Sequence, residues 1–180
     1  MRKIGLAGER PVGDSRVYKA SHVFPSDLNH KGTLYGGKIL AEMDVVGSMA
    51  AVKHARHNCV TASIDWVDFL CPVHNSDSIC YEAFVIWTGN TSMEVFVKAI
   101  AEDLKLGTQR VAATSFITFV ALGEDNAPAP VPKVVPETEE EKQLHAVAME
   151  RAKLRHIRKE QSEQIARTLS LPIPEPKQMI

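Results

Sequence analysis

One segment of the chain, residues 35–54, combines helical periodicity with an almost continuous apolar surface. Its apolar residues step by three or four positions along one stripe: Leu40, Met43, Val46 and Ala50. A helix of about 20 residues is roughly 30 Å long, and it can cover such a surface only by packing against another layer of structure. We therefore predict a single long helix buried in the centre of the fold.

The rest of the first 123 residues is strand-like. Five runs rich in β-branched and aromatic residues alternate with short turns: 16–24, 60–69, 78–88, 92–103 and 109–122. In the fourth run, Val95, Val97 and Ala99 share one face of the strand, and the charged residues of that run share the other. Strands joined by short turns pair in antiparallel fashion. The pattern predicts an α+β domain in which a curved antiparallel sheet of about five strands wraps the long helix.

The composition fits one globular domain with an appendage. The chain has 180 residues, of which 44% are hydrophobic and 24% charged, and its formal net charge is −1. This balance predicts neither a nucleic-acid footprint nor a basic membrane patch. The three cysteines have no CxxC spacing, which argues against a disulfide framework. No apolar run reaches the length of a membrane span or a signal sequence, so we expect a cytoplasmic protein.

The composition changes near residue 123. Residues 124–136 contain four prolines and predict an extended linker, and residues 137–170 have a strongly helical composition with acidic residues in the first turn. A narrow apolar stripe along this second helix favours packing against its own domain or a sister subunit. Residues 171–180 again contain several prolines and predict an extended tail. Residues 1–15 form an N-terminal extension ahead of the first strand.

Two features at the start of the long helix need a chemical explanation. Gly36 and Gly37 leave backbone N–H groups at the positive helix end open to a ligand carbonyl or phosphate, unless they serve only a tight turn. Asp44 is a carboxylate in an otherwise apolar stretch, where we expect it to be buried. Burial of an ionised carboxylate costs free energy, so we expect this group to be paired or to take part in the chemistry. The simpler alternative is a surface aspartate that faces Lys38 or Lys53.

Three segments resemble the hotdog-fold acyl-CoA thioesterases. They follow one another in the family's order and lie within residues 16–122. Asn29-His-Lys-Gly32, Gly36-Gly37 and Met43-Asp44 are similar to the pattern N-H-x-G…G-G…M-D. The segment 61–73 is similar to T-A-S-x-D-x-V-D-F-x-x-P-V, and the turn 89–95 and the strand 113–121 match as well. Residues 16–123 are thus identified as a hotdog acyl-CoA thioesterase domain.

The resemblance implies an enzyme that hydrolyses acyl-CoA to a free fatty acid and coenzyme A, with a place in fatty acid metabolism. It needs no cofactor, because coenzyme A is part of the substrate. Asn29 and Asp44 carry over as the catalytic pair, contributed across the interface of a homodimer, and the N–H groups of Gly36 and Gly37 would stabilise the oxyanion. Asp44 would act as general base or as nucleophile. Dimers are expected to assemble further into a hexamer, a trimer of dimers.

Other positions carry weaker assignments. Ser63, or Thr61 beside it, could supply a secondary hydroxyl. The turn formed by Gly89, Asn90, Thr91 and Ser92 could hold the phosphates or pantetheine arm of coenzyme A, although its composition also suits an ordinary hairpin. The cation for the 3′-phosphate stays open among Lys31, Lys98 and Arg110. We expect no metal site, because His54, His57 and Cys59 fit a helix C-terminus equally well.

Two other functions remain as alternatives. A hotdog hydroxyacyl dehydratase uses a His and a Glu, for which His22 and Glu42 are the superficial candidates. A non-catalytic acyl-CoA-binding regulator would need neither Asn29 nor Asp44, so the presence of both favours catalysis. Serine esterase chemistry has no support, since the sequence lacks G-x-S-x-G and Ser48 lies within the predicted helix.

Overall fold

The structure is a computed structural model that describes residues 8–169. Two compact units divide the chain, one ending at Ala146 and the other beginning at Val147. The tail predicted for residues 171–180 and the first seven residues of the N-terminal extension lie outside the described residues. Within the described part, no helix is both long and apolar enough to cross a membrane.

Five strands form one antiparallel sheet in the first unit. The strands are β2 (Val17–His22), β3 (Asn58–Phe69), β4 (Asp77–Thr88), β5 (Ser92–Asp103) and β6 (Thr108–Leu122). They lie in the order β2-β4-β5-β6-β3, so β2 and β3 are the two edges. The predicted α+β class and its sheet of about five strands are confirmed. The first predicted strand is shorter than expected, because Pro25 begins a 3₁₀ turn soon after β2 ends.

The long helix, α1 (Gly36–Ala55), packs against β3, β4, β5 and β6. Its inner face is fully buried at Met43, Val46 and Ala50. The expectation of a helix buried all round is wrong for the single chain, because Val45 and Met49 are 45% and 50% exposed. One sheet can cover only one face of a helix, so the second apolar face stays exposed in the part of the chain that the structure describes.

A second, two-stranded sheet holds the proline-rich segment on the domain. β1 (Glu9–Pro11) pairs in parallel with β7 (Lys133–Val135). Val131 and Val134 are almost completely buried, and the Val131 N–H donates to the Asn90 carbonyl at 2.9 Å. Within the segment 124–136, predicted as an extended linker, residues 124–128 are exposed, whereas the part from Ala129 to Val135 packs on the domain. Alternate residues keep the N–H groups that proline lacks, which permits this packing.

The second helix, α2 (Glu139–Thr168), confirms the predicted C-terminal helix. It begins with a capping box: Glu141 N–H donates to Thr138 Oγ1 at 3.2 Å, and Thr138 N–H donates to Glu141 Oε2 at 3.0 Å. The Arg16 guanidinium also donates to Glu141 and to Glu82 on β4. The start of α2 is thereby tied to the outer face of the sheet.

Candidate active site

The loop before α1 fixes the orientation of Asn29. The Asn29 Oδ1 accepts hydrogen bonds from the N–H groups of Lys31, at 2.8 Å, and Thr33, at 3.3 Å, and its Nδ2 donates to Thr33 Oγ1 at 3.0 Å. Gly32 closes this loop with a φ of 74°, a conformation that glycine adopts without strain. The Asn29 side chain is half-buried and held by its own loop.

Two aromatic rings flank the glycines at the start of α1. A Cβ atom on Gly37 would lie 2.8 Å from Tyr35 Cζ, and one on Gly36 would lie 3.3 Å from Phe69 Cζ. The sequence suggested that the missing side chains leave open space at the glycines, but the rings of Tyr35 and Phe69 fill the positions where Cβ atoms would lie. The N–H groups of Gly36 and Gly37 belong to the first turn of the helix, where no intrahelical acceptor is available.

Asp44 receives a hydrogen bond from the neighbouring edge strand. Thr61 Oγ1 on β3 donates to Asp44 Oδ1 at 2.8 Å. The expected burial of Asp44 is wrong for this chain: the side chain is only partly buried, because it lies on the uncovered face of α1. The alternative surface pairs are also absent from the described residues, since Lys38 pairs with Glu42 at 3.4 Å and Lys53 donates to the Arg16 carbonyl.

Only one of the two candidate hydroxyls contacts Asp44. The register of β3 against β6 shifts between Thr61 and Ser63, which marks a β-bulge. The Ser63 Oγ donates instead to Asp65 Oδ2, at 3.3 Å. The sequence favoured Ser63 and placed Thr61 second, and the bulge that decides between them leaves no mark in the composition.

The predicted coenzyme A turn is a closed hairpin turn between β4 and β5. Gly89 N–H donates to the Ser92 carbonyl at 2.8 Å, and the carbonyls of Asn90 and Thr91 accept from residues outside the turn. Lys133 Nζ lies 3.3 Å from the Gly89 carbonyl, which brings a cation to this turn from the proline-rich segment. Sequence reasoning missed Lys133, because nothing local predicts contact across 44 residues.

Two of the three cations considered for the 3′-phosphate are engaged in ion pairs. Lys98 contacts Glu82 at 3.0 Å and Glu140 at 3.2 Å. Burial opposes the charged form of Lys98, but these hydrogen bonds outweigh it and raise its pKa. Arg110 pairs with the buried Asp77, and Lys31 is exposed.

The two residues considered for a dehydratase have environments that do not suit that function. Lys19 and Lys38 both contact Glu42, and the hydrogen bond from Lys19 is the main cause that lowers the Glu42 pKa. A carboxyl kept ionised in this way is a poor proton donor for a dehydratase. His22 is exposed at the edge of the sheet, on β2.

The residues weighed as metal ligands have other environments. His54 is completely buried, and its Nε2 donates to the Pro132 carbonyl at 2.9 Å. Burial raises the pKa of Cys59 to about 11, which disfavours a thiolate. In the part of the chain that the structure describes, no three His, Cys, Asp or Glu side chains gather in a way that could hold a metal ion.

A group of exposed apolar side chains on β3 and α1 forms what we call the apolar edge surface. They lie on and just after β3, at Val60, Ile64, Trp66, Phe69 and Leu70, and on α1, at Val45, Met49 and Val52. Within the described residues β3 pairs with β6 alone, and its other backbone edge has no strand partner there. Asp44 and Thr61 lie within this apolar edge surface.

Comparison with known proteins identifies the family to which this chain belongs. Residues 31–108 match the model of the thioesterase superfamily. The uncharacterized acyl-CoA thioester hydrolase YkhA of Bacillus subtilis is 50% identical over 161 residues, which are 89% of this chain and 94% of that protein. This chain belongs to the acyl-CoA thioester hydrolase family. The predicted family and its hotdog fold are confirmed.

Other relatives of this acyl-CoA thioester hydrolase family member include longer proteins and solved structures. The rat cytosolic acyl coenzyme A thioester hydrolase is 37% identical over 67% of this chain, which spans only 32% of that protein. A Bacillus cereus acyl-CoA hydrolase structure has a TM-score of 0.88 at 58% identity and covers 91% of this chain and 99% of its own. A hexameric acyl-CoA thioesterase has a TM-score of 0.82 at 44% identity, over 84% of this chain and 97% of its own.

The acyl-CoA hydrolase of Staphylococcus aureus is described in complex with butyryl coenzyme A and coenzyme A. It has a TM-score of 0.85 at 38% identity, over 88% of this chain and 97% of its own. Variants of it have been solved with an aspartate, a threonine or an asparagine replaced by alanine. In that protein the asparagine precedes the aspartate by 15 positions and the threonine follows it by 17.

Proposed function

We propose that this protein hydrolyses acyl-CoA, consuming water and releasing a carboxylic acid and coenzyme A. The observation that carries the proposal is the pair formed by Asp44 and Thr61, at 2.8 Å, on an exposed apolar surface. Burial of this carboxylate by a substrate or a second subunit removes its hydration and costs free energy. A carboxylate at such a position therefore suits a chemical task. Its Oδ1 accepts from Thr61, which leaves Oδ2 to accept from a water molecule.

The Staphylococcus aureus variants support the choice of residues. Asn29, Asp44 and Thr61 have the residue types changed in those variants, and their separations of 15 and 17 positions are the same. We assign Asp44 as the catalytic carboxylate, Asn29 as the side chain that orients the carbonyl or the water, and Thr61 as the residue that orients Asp44. Ser63 takes no part in this assignment.

The proposed reaction balances with water as the only co-reactant. Asp44 takes a proton from water as the water oxygen attacks the thioester carbonyl, and the carbonyl electrons move to the oxygen. The N–H groups of Gly36 and Gly37, at the positive end of α1, stabilise this oxyanion. Collapse of the intermediate breaks the carbon–sulfur bond, and the thiolate of coenzyme A departs and takes up the proton. Direct attack by Asp44 would give a mixed anhydride instead, which water then hydrolyses.

A homodimer supplies the missing cover for the apolar edge surface. The open edge of β3 offers unpaired backbone groups, and pairing with the same edge of a second copy satisfies them. The same contact buries the exposed side chains of β3 and α1, including the surroundings of Asp44. We infer that each active site then contains residues of both copies, and that dimers assemble into a hexamer, for which the hexameric relative gives support.

Coenzyme A needs groups that bind its phosphates. We place them near the turn that contains Gly89, Asn90, Thr91 and Ser92, with Lys133 as the neighbouring cation. The cytosolic location and the role in fatty acid metabolism stay predictions from the sequence.

Release of free thiol from a series of acyl-CoAs, from acetyl to palmitoyl, tests the function. We expect release with the wild type and a loss of at least about 100-fold in kcat for Asp44→Asn, the size typical of a missing general base. Asp125→Asn, at an exposed aspartate, is the matched control and keeps full activity. Wild-type activity in Asp44→Asn would refute the mechanism. Binding of coenzyme A without thiol release would favour the regulator, and hydration of enoyl-CoA would favour the dehydratase.

A further inference from the structure

Two large aromatic side chains are exposed at the start of α1. Tyr35 is 60% exposed and Phe69 is 55% exposed. Each ring nevertheless contacts the helix, Tyr35 at Gly37 and Phe69 at Gly36, on the side where any other residue would carry its Cβ atom. The two glycines therefore accommodate the rings. The rings thus lie in the first turn of a helix, where backbone N–H groups have no intrahelical acceptor and are open to a ligand.

The backbone of Tyr35 is held from both sides. Its N–H donates to the Asp27 carbonyl at 2.9 Å, and its carbonyl accepts from the N–H groups of Lys38, at 2.9 Å, and Ile39, at 3.2 Å. The backbone at Tyr35 is therefore fixed relative to α1, and only rotation about its side-chain bonds can move the ring. The ring therefore packs at Gly37, in the first turn of the helix, from a fixed backbone position.

We propose that Tyr35 is a substrate-positioning residue, whose ring forms a wall that holds the thioester against the N–H groups of Gly36 and Gly37. This inference rests on the proposed function. Water that reaches those N–H groups competes with the carbonyl for their hydrogen bonds. Exclusion of water lowers the local dielectric and strengthens the attraction between the N–H groups and the oxyanion. The aromatic ring provides this wall, and the hydroxyl is not required.

The first test separates kcat from KM for butyryl-CoA. We expect Tyr35→Ala to lower kcat about tenfold and to change KM less than about threefold, because the ring acts mainly on the transition state. Tyr35→Phe restores the ring and stays within about twofold of the wild type in both constants. Tyr18→Ala is the matched control, since Tyr18 is 62% exposed and lies on β2, and it leaves both constants unchanged.

The second test uses the contact between Tyr35 and Gly37. We expect Gly37→Ala to lower kcat in the wild type, because its methyl group displaces the ring. In the Tyr35→Ala background the same change has little further effect, since the space is empty. Additive effects of the two substitutions would overturn the inference, because they would mean that Gly37 serves the substrate and not the ring.

The possible outcomes distinguish this inference from the proposed function. Thiol release by the wild type together with unchanged kcat and KM in Tyr35→Ala overturns the role of Tyr35 alone. No thiol release by the wild type from any acyl-CoA, acetyl to palmitoyl, overturns both. Thermal unfolding and calorimetric binding of coenzyme A accompany each variant. A loss of kcat that is matched by lost folding or lost coenzyme A binding, and that Tyr35→Phe does not restore, also overturns the positioning role.

Discussion

At the scale of single residues, the site depends on how a carboxylate is held on an exposed helix face. Asp44 was identifiable from the sequence, because an acid between Met43 and Val45 in a largely apolar helix is unusual and its neighbours match a family pattern. For its hydroxyl partner the sequence left Ser63 and Thr61 open, because a hydrogen bond between a helix and an edge strand depends on the register of that strand. A bulge just after Thr61 turns this residue, and not Ser63, toward Asp44.

The first prediction concerns the hydroxyl of Thr61. Thr61→Val keeps the shape of the side chain but leaves Asp44 Oδ1 without its donor, so we expect kcat to fall about tenfold, equivalent to about 1.4 kcal/mol. Thr61→Ser keeps the hydroxyl and should retain most of the activity. Steady-state thiol release gives both values. Ser63→Ala is the control, and a larger loss in Ser63→Ala than in Thr61→Val would reverse the assignment of the two hydroxyls.

The second prediction concerns the buried His54. Its Nδ1 has no hydrogen-bond partner among the described residues, and burial is the main cause that lowers its pKa. The proton therefore binds more readily to the unfolded chain, whose His has a pKa of about 6.5. We expect the free energy of unfolding to be highest above that pH and to fall as the pH drops below it, by at most about 1.4 kcal/mol per pH unit for this one proton.

Urea unfolding between pH 5 and 8 measures this dependence. His54→Gln keeps a donor for the Pro132 carbonyl and cannot take up a proton, so its stability should vary less over this range. His30→Gln, at an exposed histidine, should vary as the wild type does. An equal pH dependence in His54→Gln and the wild type would show that other groups are responsible.

At the scale of elements, periodicity located the helices and the main strands, but not the pairing of distant segments. The helix predicted at residues 35–54 is α1, Gly36–Ala55, and the four long strands agree with their predictions within a few residues. The parallel pair of β1 and β7 joins segments more than 120 residues apart, and its proline content hides the strand. Trp66 has a φ of 46° where the β3 register shifts again, and no local signal marks that bend.

The third prediction concerns the capping box that begins α2. The buried carboxylate of Glu141 accepts from two N–H groups and from Arg16, and these contacts outweigh burial and lower its pKa. We expect Glu141→Gln to lower the free energy of unfolding by about 1–3 kcal/mol at neutral pH, since charge-assisted hydrogen bonds are lost and Arg16 keeps fewer partners.

Chemical denaturation at pH 7 gives this difference, and Glu139→Gln, at an exposed position of the same turn, is the matched control. Because the pKa of Glu141 is lowered in the folded chain, its contribution is present above the unfolded pKa of about 4.3 and is lost as the pH falls below it. A difference between Glu141→Gln and the wild type that persists unchanged at pH 3 would contradict this origin.

At the scale of the whole molecule, the described residues of one chain leave the surroundings of Asp44 exposed. Asn29 forms its hydrogen bonds within its own loop, and Asp44 receives its bond from Thr61. Among residues 8–169, nothing covers the apolar edge surface around Asp44 or pairs with the outer edge of β3. The family resemblance predicted a site shared between two copies, which composition and periodicity alone could not, because neither contains information on a second chain.

The last prediction tests this sharing by complementation. If Asn29 of one copy acts with Asp44 of the other, a mixed dimer of Asn29→Ala and Asp44→Asn has one site with both residues changed and one intact site. Each variant alone should be nearly inactive. Unfolding and refolding them together in equal amounts should restore about a quarter of the wild-type activity, since half of the dimers formed at random are mixed and each has one intact site of two.

Asp125→Asn refolded with Asp44→Asn is the control, in which the activity should stay at the level that the Asp125→Asn sites provide. No recovery in the Asn29→Ala and Asp44→Asn mixture, with dimers shown by light scattering, would mean that both residues of a site come from the same copy.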